Sequence, residues 1–167
     1  FDHHLSETVR NSSDIKNHII DPKAPSAARV VYDYYGGAEK LPNISVEMMD
    51  AVDQGDAAQF SKDDILNTTV WVLMNFIMDA RTGLGRFREF KISNYQLMMK
   101  LIDACKDQSI EEILQMEDVA ERVALYNEHN EKATEQISQC ATVHKNLVVL
   151  DLTQEETIYA TNRFVIY

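Results

Sequence analysis

A chain of 167 residues has room for one ordinary domain or for parts of two, and with 45% hydrophobic residues it can fill a core. No apolar run approaches the roughly 18 residues of a membrane span, and no basic stretch leads an apolar one at the start, so neither a membrane partner nor a signal peptide is expected. The net charge of −11 excludes a nonspecific nucleic-acid coat protein, yet leaves phosphate esters open as substrates wherever bound cations reverse the local field.

Position 1 is Phe rather than Met, so the sequence reads as a piece cut from something longer. Asp2-His3-His4 is the sharpest feature. Neutral imidazole is a ligand for manganese, iron or zinc, and a neighbouring carboxylate suits hard divalent cations. Three consecutive side chains on a strand alternate faces and cannot share one ion. At a strand end, however, one can bind metal, one can face substrate and one can orient its neighbour. A polar loop end is the plain alternative for so short a motif.

Residues 5 to 20 read as polar and irregular, and Asp21-Pro22-Lys23-Ala24-Pro25 as a turn-rich loop. Ser26 is expected to cap a helix to about Tyr35, closed by Gly36-Gly37. Ser45 caps a second helix that runs out at Gln54-Gly55, and Ser61 with Asp64 forms a capping box. Residues 68 to 81 read as a buried apolar helix, broken by Gly83-Leu84-Gly85. Ser93 and Ser109 open further helices. Residues 117 to 142 form one long helix with a seam of Val119, Val123, Tyr126, Asn130, Ala133, Ile137 and Cys140. Leu147 to Leu150 and Phe164 to Tyr167 read as strands. The pattern is an α/β fold richer in helices than in strands, with a boundary near residue 142.

The segments FDHHLSE, IIDPKAPSAARVVYDYYGG and MMDAVDQGDAAQF together resemble the DHH phosphoesterase superfamily, which includes nanoRNases, exopolyphosphatase-like proteins, single-strand DNA exonucleases and manganese pyrophosphatases. TGLGRFREF and the closing LVVLDL…NRFVIY resemble its exopolyphosphatase-like branch. The resemblance implies the second half of a parallel-sheet catalytic domain with a linking helix over residues 1–142. Residues 143–167 would then begin a substrate-binding domain.

The same resemblance implies a metal-ligand role for His3, contact of His4 with substrate phosphate or attacking water, and a supporting role for Asp2. It also implies a later metal-binding acid, either Asp53 or Asp56. Asp53 is favoured because it follows the apolar stretch 46 to 52. Asp50, Asp53 and Asp56 repel one another at i, i+3, i+6, and a carboxylate late in a helix opposes its dipole; a cation would relieve both. A solvated acidic face is the other reading.

The implied chemistry is hydrolysis of phosphodiester or phosphoanhydride bonds in short oligonucleotides, cyclic dinucleotides or polyphosphate. Two Mn2+ ions, with Mg2+ as the alternative, would lower the pKa of a bridging water. The family's upstream acidic motifs and downstream glycine-rich motif are absent from this sequence, so the chain alone is expected to be inactive. A non-catalytic ligand-binding or regulatory module on the same scaffold is the competing function, with the long helix mediating assembly; a homo-oligomer is compatible with either.

Arg86 and Arg88 beside Gly83 and Gly85 are candidate phosphate contacts, against a plain turn with solvated arginines. His18, His129 and His144 read as surface residues, and the pairs Met48-Met49 and Met98-Met99 as core filler. Cys105 and Cys140 read as buried free thiols, which fits a reducing cytoplasm.

Overall fold

The structure is a computed structural model; it describes residues 1–10 and 17–166, with the side chain of Ile166 left aside. The chain divides into two compact units, 1–64 and 65–167. The expectation of irregular backbone over 11–16 lies outside the described residues, as does Tyr167.

In the first unit, α1 (Leu5–Arg10) occupies part of a stretch whose polarity suggested irregular chain. α2 (Ala27–Tyr34) starts at Ser26, whose Oγ accepts the Arg29 N–H at 2.9 Å. The helix stops where Gly36 and Gly37 adopt φ of +95° and +56°, values that cost glycine little. α3 (Gly37–Lys40) is a single turn. α4 (Val46–Asp56) is capped by Ser45 and buries Met49, Ala51 and Asp53. α2 and α4 pack on each other. α5 (Lys62–Leu66) begins at a reciprocal box: the Ser61 N–H donates to Asp64 Oδ2 at 2.8 Å, and the Asp64 N–H to Ser61 Oγ at 3.1 Å.

The second unit is built on α6 (Val70–Met78), whose Val72, Met74, Phe76 and Ile77 are buried. Two short 3₁₀ turns, Ala80–Thr82 and Leu84–Arg86, follow. α7 (Asn94–Ala104) and α8 (Ile110–Leu114) both open with complete capping boxes, and α9 (Glu117–Cys140) is the long helix. Phe76 meets Tyr126 and Phe164 at ring-centroid distances of 6.3 and 6.1 Å. Fully burying a phenylalanine such as Phe76 contributes about 1.5–3 kcal/mol. β1 (Ala141–His144) and β2 (Leu147–Leu150) form an antiparallel hairpin turned at Lys145, where φ is +58°.

Three expectations are corrected. The end of the chain is a 3₁₀ turn, Arg163–Ile166, rather than a strand. Asn162 starts it by accepting the Phe164 N–H at 3.1 Å. Met98 and Met99 are each 46% exposed, because α7 buries Leu97 and Ala104 instead. His129 is buried rather than superficial. No parallel sheet is present among the described residues: the motif segment makes one parallel bridge, Asp2 to Ile20, and the two-stranded sheet is antiparallel. Cys105 and Cys140 are free and partly buried. No helix among the described residues is long and apolar enough to cross a membrane.

Candidate active site

The Asp2–Ile20 bridge sets the position of the Asp2-His3-His4 motif: the Asp2 N–H donates to Ile19 O at 3.0 Å and the Asp21 N–H to Asp2 O at 3.1 Å. Immediately after the bridge the chain turns, and one oxygen of Asp2 gathers three donors. Its Oδ1 accepts from the His3 N–H at 2.7 Å, the His4 N–H at 2.9 Å and His4 Nδ1 at 2.6 Å. The bonds from His4, backbone first and ring second, pull the Asp2 carboxyl down to about 2. The same contact raises the His4 imidazole above its ordinary value, with the hydrogen bond to Asp2 as the main cause. His4 therefore donates through Nδ1 and turns an exposed ring outward.

His3 is held differently. Its Nδ1 lies 3.2 Å from the Ala24 carbonyl, which can only accept, so Nδ1 carries the proton. In the neutral ring Nε2 then bears a lone pair. That atom faces Asp56 Oδ2 at 3.2 Å. A proton on Nε2, or a cation lying between the two atoms, would turn this approach from repulsive to favourable. An imidazole whose far nitrogen is anchored to a carbonyl is the usual arrangement of a metal-binding histidine.

The three acids of α4 separate by role. Asp56, in the last turn, is half exposed and directed at His3. Asp53 is buried, and both of its oxygens are occupied. Ser26 Oγ donates to Oδ1 at 2.6 Å, while Arg29 Nε donates to Oδ2 at 2.8 Å and Nη2 lies 2.6 Å from it. Asp50 is exposed and receives Arg29 Nη2 at 3.0 Å. The carboxylate brought to His3 is thus that of Asp56, whereas the favoured Asp53 engages α2.

His3 and Asp56 supply one imidazole and one carboxylate, a donor pair suited to manganese. Among the described residues no group of three or more His, Cys, Asp or Glu is poised to hold a metal. A cavity of about 150 Å³ beside the motif is lined by Phe1, Asp2, Glu7, His18, Ile19 and Ile20.

Arg86 and Arg88 belong to the second unit. Arg86 curls back toward the Gly83 carbonyl and Arg88 pairs with Glu121 at 3.3 Å. Sequence reasoning missed Arg29. Ser26 was legible only as a cap; its second bond, to a residue 27 positions away, has no local signal.

No family model matches the chain, and no curated protein matches it. Among solved structures it is similar to a pGpG-specific phosphodiesterase, PggH from Vibrio cholerae. The two share 57% sequence identity and superpose with a TM-score of 0.89 over the whole of this chain. This chain spans 53% of that protein's length, and its helix-rich fold is that of the corresponding part of a phosphodiesterase.

Proposed function

We propose that this chain is part of a metal-dependent phosphoesterase of the DHH type that hydrolyses the phosphodiester bond of short linear dinucleotides such as pGpG. The observation that carries the reading is the His3 Nε2 to Asp56 Oδ2 approach at 3.2 Å, with Nδ1 committed to Ala24. The similar phosphodiesterase supplies the substrate class. His3 and Asp56 would hold one Mn2+ ion, and a metal bound there would lower the pKa of a coordinated water and neutralise phosphate charge. Asp53 would act on this site from behind.

The chain's own residues then have defined work. Asp2 fixes the His4 ring through Nδ1, leaving Nε2 to meet a phosphate oxygen. In its protonated form, which Asp2 favours, His4 presents a positive hydrogen-bond donor to the anionic phosphodiester and can deliver a proton to the leaving oxygen.

The test follows release of GMP from pGpG by chromatography with Mn2+, in the whole protein. His3→Ala and Asp56→Asn are each expected to lower turnover by more than about 100-fold, since even residues behind metal ligands cost 10–100-fold. His4→Ala is expected to cost roughly 10²–10⁴-fold, the range for a general acid. Wild-type rates in His3→Ala would end the metal-ligand assignment. The 167-residue chain alone, which offers donors for one ion at this place, is expected to be inactive in the same assay.

A further inference from the structure

Ser26, Arg29 and Asp53 form a clamp between the start of α2 and the last turns of α4. Ser26 is 1% exposed and its hydroxyl works twice, accepting the Arg29 N–H and donating to Asp53 Oδ1. Arg29 closes the other side with Nε and Nη2 on Asp53 Oδ2, and Nη2 reaches Asp50 as well. The hydrogen bond to Asp53 raises the guanidinium above its ordinary value. Only a planar fork spans these acceptors; an ammonium is a single point charge.

Both donors of the candidate metal pair are tied to this clamp. Asp56 lies one turn beyond Asp53 on α4, so fixing Asp53 fixes the rotation of the helix that carries Asp56. On the other side, the Ala24 carbonyl that orients His3 lies two residues before Ser26. The clamp therefore registers the holder of the His3 ring against the helix that presents the facing carboxylate. It also neutralises two of the three repelling acids, leaving Asp56 as the one directed at His3.

We propose that Arg29 and Ser26 are positioning residues that act through Asp53 to hold Asp56 and His3 at metal-binding separation. This rests on the His3–Asp56 reading above.

The measurement is Mn2+ affinity by electron paramagnetic resonance in the whole protein, which needs no turnover, beside thermal unfolding of the metal-free form. Asp56→Asn should weaken Mn2+ binding. Arg29→Met should weaken it by about 10–100-fold, as for other residues that orient metal ligands. Arg29→Lys should recover only a small part of that loss. The double variant with Asp56→Asn should lose less than the sum of the two single losses, because much of what Arg29 does reaches the metal through that carboxylate. A merely structural clamp would lower the unfolding temperature and leave the affinity of folded protein unchanged, which would overturn the proposal. Additive losses in the double variant would overturn it too. If Asp56→Asn binds Mn2+ normally, the site reading itself falls and this inference with it. Should Arg29→Met fail to fold, Ser26→Ala removes one bond of the clamp and carries the same expectations.

Discussion

At the scale of single residues, Asp2 and His4 form a self-contained pair built from adjacent sequence. A carboxylate that accepts two backbone N–H groups and an imidazole N–H favours its charged form, as does the imidazole beside it. The two shifts describe one contact, with a definite pH window. The raised His4 contributes fully below its unfolded value of 6.5 and is lost as pH rises through its folded value. The lowered Asp2 contributes above 3.8 and is lost as pH falls toward about 2. The pair is therefore strongest between those two unfolded values. Asp2→Asn is expected to lower the His4 pKa, followed through its ring proton by NMR titration; an unchanged midpoint would show that the pair does not form in solution. If protonated His4 serves the reaction, the alkaline limb of the pH–rate profile should move to lower pH in the same variant.

At the scale of elements, α9 departs most instructively from its sequence. The expected seam alternated through Val123, Asn130 and Ile137. The buried positions are Val119, Arg122, Leu125, Tyr126, His129, Ala133 and Gln136. Two heptad series interleave: Val119, Tyr126 and Ala133 are apolar or aromatic, and Arg122, His129 and Gln136 are polar. Hydropathy selects the wrong neighbours because the polar series is buried with its partners satisfied. Arg122 donates to the Ile92 carbonyl at 2.7 Å and lies over the Phe90 ring. Gln136 Nε2 donates to the Thr157 carbonyl at 2.8 Å, and its Oε1 accepts the Tyr159 N–H at 3.4 Å. His129 Nδ1 accepts the Ala160 N–H at 3.2 Å, with its ring against Phe87 and Tyr159. Gln136 and His129 thereby supply to residues 157–160 the backbone partners that a strand would otherwise provide.

His129 can accept from Ala160 only while Nδ1 is unprotonated. Burial lowers its pKa, outweighing nearby Glu128, which raises it, while Lys132 adds to the lowering. The unfolded chain consequently binds more protons below 6.5, so this contribution is intact above that value and declines as pH falls through it toward the folded value. Hydrogen exchange at the Ala160 amide, corrected for intrinsic rate, is expected to accelerate between pH 7 and 5. His129→Gln, whose amide oxygen can accept at any pH, should flatten that dependence. A pH-independent rate in the unsubstituted chain would refute the coupling.

At the scale of the whole chain, the charge of −11 is the relevant field. Such a chain repels polyanions at long range and gains nothing from counterion release, the main source of nonspecific nucleic-acid affinity. The chain is expected to leave the fluorescence anisotropy of a long labelled single strand unchanged at physiological salt. Tight binding that weakens steeply with salt would require a basic groove that the charge balance argues against.

Local chemistry made much of the architecture legible from sequence. Ser26, Ser45, Ser93 and Ser109 all cap the helices they were expected to cap, because a hydroxyl and the backbone it satisfies lie three residues apart. Glycine conformation likewise ended α2, and apolar length marked α6. The candidate site was legible as far as Asp2-His3-His4 and a set of three acids on one helix. Which acid meets His3 was decided by tertiary structure: Asp53 and Asp56 share residue type and helix, and only the packing of α2 assigns Asp53 to Ser26 and Arg29 and leaves Asp56 facing Nε2. The buried polar series of α9 was hidden for the same reason. A polar side chain is stable inside once a distant backbone satisfies it, and that partner lies outside any local window of sequence.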